Sequence, residues 1–127
     1  MNTHESLVLV VEDEPLVREL VCELILELGH GVIAVDGGDK AVNYLEENAL
    51  DVALVISDIR MPGGLDGCQL ATLIALRWPG LPVLLSSGFS DAQLHHLPPH
   101  TSFIGKPWNF EQMEAATGQY LPVPVKR

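Results

Sequence analysis

Basic residues are scarce in this chain: seven Lys and Arg stand against 17 Asp and Glu, a formal net charge of −10 over 127 residues. Nucleic-acid binding needs Lys and Arg to displace counterions from phosphates. The longest basic cluster is Lys126-Arg127, so no direct nucleic-acid contact is expected. The same balance disfavours anionic membranes. Long apolar runs are missing too. None approaches the roughly 20 residues of a bilayer-spanning helix. The stretch Met1 to Ser6 lacks the basic start and apolar core of a signal peptide. Cysteine is limited to Cys22 and Cys68. Two cysteines make no disulfide framework and fit no metal spacing. Free thiols in a reducing cytoplasm are the expectation.

What is present suits one globular domain. Apolar residues make up 47% of the chain and charged residues 19%, enough for a core and too apolar for disorder. Short, β-branched runs read as buried strands: Leu7–Val11, Val32–Val35, Asp51–Ser57, Pro82–Ser86 and Ser102–Ile104. Helical spacing joins Leu16, Val17, Leu20, Val21, Leu24 and Leu28, after Pro15 and before Gly29. Further helices are predicted around Ala41–Leu45, from about Gln69 to Trp78, and from Asn109 to about Tyr120. Strand and helix alternate with short connections. This predicts an α/β fold, a five-stranded parallel sheet wound on both faces, with about five helices. The core is expected over about 7–120, with an extended tail over 121–127 that Pro122 and Pro124 keep from being helical.

In such a sheet, ligands bind at the carboxyl ends of the strands. The first strand ends in Glu12-Asp13, the third in Asp58, the fourth in Ser86-Ser87-Gly88, and Lys106-Pro107 follows the fifth. Three gathered carboxylates repel one another unless a divalent cation joins them or some protonate. All-oxygen ligands with room for water suit Mg²⁺. A cation there draws in a phosphate donor and offsets charge as a carboxylate attacks phosphorus. The competing structural reading makes Asp13 or Glu14 a cap for the helix beginning near Pro15.

The segments Leu9-Val10-Val11-Glu12-Asp13-Glu14, Ser57-Asp58-Ile59-Arg60-Met61-Pro62, Leu84-Leu85-Ser86-Ser87-Gly88 and Ile104-Gly105-Lys106-Pro107 resemble the signature segments of response-regulator receiver domains. The resemblance spans about Leu7 to Tyr120 and implies a flavodoxin-like fold and a two-component signalling switch in the cytoplasm. It makes Asp58 the phosphorylated residue. It makes Glu12, Asp13, Asp58 and the Arg60 carbonyl the holders of Mg²⁺, with Mn²⁺ as a substitute. Ser87 and Lys106 take the phosphoryl-binding positions, Phe103 the switch aromatic position, and Pro107 that of the family's cis-proline. Arg60 and Phe89 stand at the two positions that tune phosphoryl lifetime. The implied partners are a sensor histidine kinase or histidine phosphotransfer protein and a downstream protein, with the chain a single-domain monomer or weak dimer.

Two departures from the family pattern stand out. The turn Met61-Pro62-Gly63-Gly64-Leu65-Asp66-Gly67 is one residue longer than the commonest form. The stretch from Ser87 to Lys106 is short and carries Pro98-Pro99, so its helix, the fourth, is expected to be short or irregular. Three rivals stay open here. One is a phosphohydrolase, though such enzymes often place two aspartates a residue apart after the first strand. Another is a flavodoxin-like cofactor binder, which wants a hydroxyl- or glycine-rich loop there. The third is a receiver excised from a hybrid kinase. His95, His96 and His100 read as a solvated loop and Trp108 as a packing residue. Of Ser86 and Ser87, strand alternation lets only one face Asp58.

Overall fold

In the computed structural model, residues 6–88 and 97–121 are described. The order of elements is β1 (Leu7–Val11), α1 (Pro15–Glu27), β2 (Gly31–Val35), α2 (Gly38–Asn48), a 3₁₀ turn (Ala49–Asp51), β3 (Val52–Asp58), α3 (Gly67–Arg77), β4 (Val83–Ser87), β5 (Thr101–Gly105) and α4 (Phe110–Gly118). The strands form one sheet in the order β2-β1-β3-β4-β5, and every pairing is parallel. Four helices are described. The expected additional helix between Ser87 and Lys106 falls largely on 89–96, outside the described residues, as do His95, His96 and the lifetime position Phe89. No helix among the described residues is long and apolar enough to cross a membrane.

Alternation along the strands sorts the side chains into two cores. Leu9, Val11, Val55, Val83 and Leu85 face Leu45 of α2 and Leu70 and Ile74 of α3. Val8, Val10, Leu54, Ile56 and Leu84 face Val21 and Ile25 of α1 and Met113 of α4. The sheet is therefore wound on both faces. Each fully buried aliphatic side chain contributes about 1.5–3 kcal/mol of transfer free energy. The central strands β1 and β3 thus anchor the fold.

The helix ends follow from local chemistry. Pro15 opens α1, where its missing N–H costs nothing. Gly29 follows the helix with φ 95°, a left-handed conformation that a glycine adopts freely. Helices α3 and α4 each begin with a reciprocal capping box, Asp66 with Gln69 and Asn109 with Gln112. These boxes start α3 at Gly67 and α4 at Phe110, a shift from the predicted Gln69 and Asn109. Asp51, predicted as the first residue of β3, belongs to the 3₁₀ turn. Leu121 is no tail residue: it is buried in the second core, with its N–H on the Thr117 carbonyl. The remainder of the expected tail, 122–127, lies outside the described residues.

The long turn after β3 leans on the turn before α2. A Cβ at Gly38 would sit 2.7 Å from the Leu65 carbonyl oxygen, and one at Gly64 would sit 2.8 Å from an Asp39 carboxylate oxygen. The helix α3 starts equally close to the site. Gly67 donates its N–H to the Ile59 carbonyl at 2.8 Å, and a Cβ there would strike the backbone of Asp58.

Candidate functional site

The sheet order makes neighbours of β1, β3, β4 and β5, so their carboxyl ends meet. Glu12, Asp13 and Asp58 each offer a carboxylate oxygen, all within 4.8 Å of one another. Lys106 reaches in from beyond β5, with Nζ 3.4 Å from Asp58 Oδ1 and 3.7 Å from Glu12 Oε1. The Lys106-Pro107 peptide bond is cis.

Glu12 is held on every side. Its N–H donates to the Val35 carbonyl at 3.1 Å. Its carbonyl accepts from Arg18 Nη1 at 2.9 Å, and its Oε2 accepts from the Glu14 N–H at 3.2 Å. Glu14 stands at the N-cap of α1 and makes no side-chain capping bond. The cap reading therefore fails for Glu14, and the Glu12 carboxylate covers the start of this helix instead.

Glu12 is buried. Burial pushes its carboxyl above the ordinary value, and the nearby Asp58 charge pushes the same way; the Glu14 N–H and Lys106 oppose them, and Asp13 adds a small upward push. Crowding and desolvation thus outweigh the one lysine.

Asp58 ends β3, half-buried. Its Oδ1 accepts from the Ile59 N–H at 3.0 Å as well as from Lys106. The same Ile59 N–H points to the Ser86 carbonyl at 3.0 Å. Ser86 pairs with Asp58 in the β3–β4 register. It shares the sheet face of Leu84, Ile56 and the second core, and its hydroxyl accepts from Trp108 Nε1 at 3.3 Å. Ser87, buried at the end of β4, takes the opposite face by alternation, and its carbonyl accepts from the Lys106 N–H at 2.9 Å. Phe103 is partly buried against the first core. Arg60 is exposed just past Asp58.

The structure therefore gathers Glu12, Asp13, Asp58 and Lys106, and packs Trp108 against the second core. The sequence reading left two partners unmarked. Arg18 braces the acidic turn, and Ser86 ties β3 to the loop after Lys106. The first had a signal in its position, one helical turn past Glu14. The second had none, because a Trp–Ser contact across elements leaves no spacing to read.

Cys22 and Cys68 are half-buried and in no disulfide, and burial pushes the Cys22 thiol up, which suits an inert core thiol.

Residues 8–117 match the family described as the response regulator receiver domain. The chain is 45% identical over 82 residues, 65% of its length, to the response regulator protein FleR of Pseudomonas aeruginosa, and covers 17% of that protein. It is 30% identical over 117 residues, 90% of its length, to the sensor kinase CckA of Brucella abortus, and covers 12% of it. Among solved structures, a response regulator receiver protein from Sinorhizobium medicae superposes with a TM-score of 0.83 at 26% identity, over 91% of this chain and 93% of the other. The chain thus spans under a fifth of either curated relative and nearly the whole of the solved receiver. With a family match over most of its length and a receiver's strand order, the chain belongs to the response-regulator receiver domains, the phosphoacceptor signalling modules of two-component systems.

Proposed function

We propose that this chain is a phosphoacceptor switch that takes a phosphoryl group onto Asp58 with Mg²⁺ held beside it. The observation that supports this best is the gathering of three carboxylates and one lysine at a single sheet edge.

The donor set fits a hard cation. All three side chains offer oxygen, and Mg²⁺ prefers one or two carboxylates with several waters. Three carboxylate oxygens that all lie within 4.8 Å of one another suit that arrangement. Glu12, Asp13, Asp58 and the Arg60 carbonyl would hold the ion; Mn²⁺ would serve in its place. When bound, the ion supplies charge neutralisation at the phosphoryl oxygens.

The remaining chemistry belongs to the chain. Asp58 Oδ1 accepts from the Ile59 N–H and from Lys106, and Oδ2 is the oxygen assigned to attack phosphorus. The new bond is Asp58 O–P, and the bond that breaks is P–N to a phosphohistidine of a sensor kinase or phosphotransfer protein. The electron pair stays on the imidazole nitrogen, which takes a proton from solvent. Lys106 pairs with a phosphoryl oxygen. Ser87 donates its hydroxyl to another, which draws the end of β4 inward and frees space for Phe103. Phe has no hydroxyl to fix the new position, so the switch is a shift in population. The altered surface is then read by another protein.

The test is incubation with Mg²⁺ and a small phosphodonor, followed by intact mass. One added phosphoryl group, absent in Asp58→Asn and absent without the divalent ion, is the expected result. No adduct on the parent would overturn the reading.

A further inference from the structure

Lys106 is pinned from both sides by two consecutive residues of β4. Its own N–H donates to the Ser87 carbonyl at 2.9 Å. Two residues later, the Trp108 indole N–H returns to the Ser86 hydroxyl at 3.3 Å. Ser86 also faces the acceptor strand: its carbonyl takes the Ile59 N–H at 3.0 Å, and that same N–H lies 3.0 Å from Asp58 Oδ1. One buried residue therefore binds the strand that carries Asp58 with its backbone and the loop that carries Lys106 with its side chain. Below this link is a cavity of about 10 Å³, lined in part by Glu12, Asp58, Ser86, Lys106 and Trp108.

We propose that Ser86 and Trp108 form a positioning pair that holds the Lys106 ammonium against Asp58, and so sets the rate of phosphoryl transfer without touching the phosphoryl group. This rests on the reading of Asp58 as acceptor. A lysine side chain is long and loses considerable rotamer freedom when fixed. At 28% side-chain exposure, Lys106 has solvent as an alternative. Its backbone must be placed well for the ammonium to prefer the carboxylates. The N–H···O=C bond to Ser87 fixes only the residue's entry. The Ser86–Trp108 bond fixes its exit.

A purely structural role for the pair predicts a loss of stability and nothing specific to Lys106. A positioning role predicts more. In Ser86→Ala and in Trp108→Phe, which keeps the ring and removes the N–H, the rate with a small phosphodonor at saturating Mg²⁺ falls about tenfold, the size expected when a charge-assisted contact in the transition state is lost. The Mg²⁺ affinity does not change, because neither residue contacts Glu12, Asp13 or Asp58 by a hydrogen bond. Ser86→Thr, which restores the hydroxyl, recovers the rate. The double variant is no slower than either single one, since both remove one bond.

A second readout needs no phosphoryl transfer. The Lys106 ammonium should give a protected side-chain ¹H–¹⁵N signal in the parent, weakened in both single variants and recovered in Ser86→Thr. Unchanged Lys106 signals and unchanged rates in folded Ser86→Ala and Trp108→Phe would overturn the pair while leaving Asp58 as acceptor. A parent that acquires no phosphoryl group would overturn the functional reading and the rate claim together.

Discussion

Lys106 approaches Asp58 more closely than it approaches Glu12, 3.4 Å against 3.7 Å, although Glu12 is the more deeply buried of the two acids. One ammonium is thus shared unequally between two carboxylates, with Asp13 completing the cluster. The site carries an excess of negative charge that this lysine does not cancel. The metal and pH predictions rest on that imbalance.

In the proposed function, a divalent ion would offset this excess charge. Asp13→Ala should weaken Mg²⁺ binding by more than about 100-fold, beyond the range typical for losing an outer-shell partner. Titration followed by Trp108 fluorescence measures it. Equal affinity in parent and variant would remove Asp13 from the site. In metal-free buffer Asp13→Asn should melt a few degrees above the parent, because it relieves repulsion. Added Mg²⁺ should raise the melting temperature of the parent by mass action.

Glu12 gives the metal-free protein an unusual pH response. Its folded-state pKa lies above the ordinary 4.5, from burial first and Asp58 second. The folded state therefore binds this proton more tightly than the unfolded state does. The stabilisation is fully present below 4.5 and is lost as pH rises through the raised folded value. Melting temperatures in chelator should fall across that window. Glu12→Gln should remove this part of the slope and be the more stable protein at neutral pH. Parallel curves for parent and variant would show that Glu12 is not the group responsible.

Gly67 tests how closely α3 is fitted to the site. A side chain there meets the Asp58 carbonyl and lies 2.8 Å from the Ile59 Cα. Both are backbone atoms with no freedom to swing aside. Gly67→Ala should cost about 1–3 kcal/mol, the usual range for overpacking, read by urea denaturation. Gly88→Ala is the control, because among the described residues nothing lies within 4 Å of a Cβ at that position. Equal stabilities for the two variants would refute the close fit.

The lifetime of the phosphoryl group should depend on the residues two positions beyond Asp58 and Ser87, Arg60 and Phe89. Neither orients an attacking water as a carboxylate or amide does. Decay after donor removal should take minutes or longer. Arg60→Asn combined with Phe89→Glu should shorten it several-fold. Loss within seconds from the parent, or no acceleration in the double variant, would defeat this expectation.

The sheet was legible because its strands are buried on both faces, so runs such as Leu7–Val11 and Leu54–Ile56 carry no alternating polar residues. The acid cluster was legible for a related reason: Glu12 and Asp58 end apolar strands abruptly. The helix starts were missed by one or two residues because hydrophobic spacing ignores capping. The pairs Asp66 with Gln69 and Asn109 with Gln112 carried the signal at the proper three-residue spacing. Leu121 was misplaced because Pro122 drew attention to the chain's exit, while the burial of Leu121 depends on how α4 sits against the second core. Ser86 was read at the end of the fourth strand, but its bond to Trp108 was not, since that contact is set by the path of the loop after β5.

Chain order gives the meeting of Asp58 and Lys106 a further consequence. The two residues are 48 positions apart, and Lys106 arrives only when β5 pairs with β4 at the outer edge of the sheet. Closing a long loop costs entropy that is recovered only once both ends are in place. A chain with its first three strands assembled already presents Glu12, Asp13 and Asp58, yet lacks the lysine. The pairing of β5 with β4 therefore completes the site: the acids come from the first and third strands, and the lysine comes only from beyond the last.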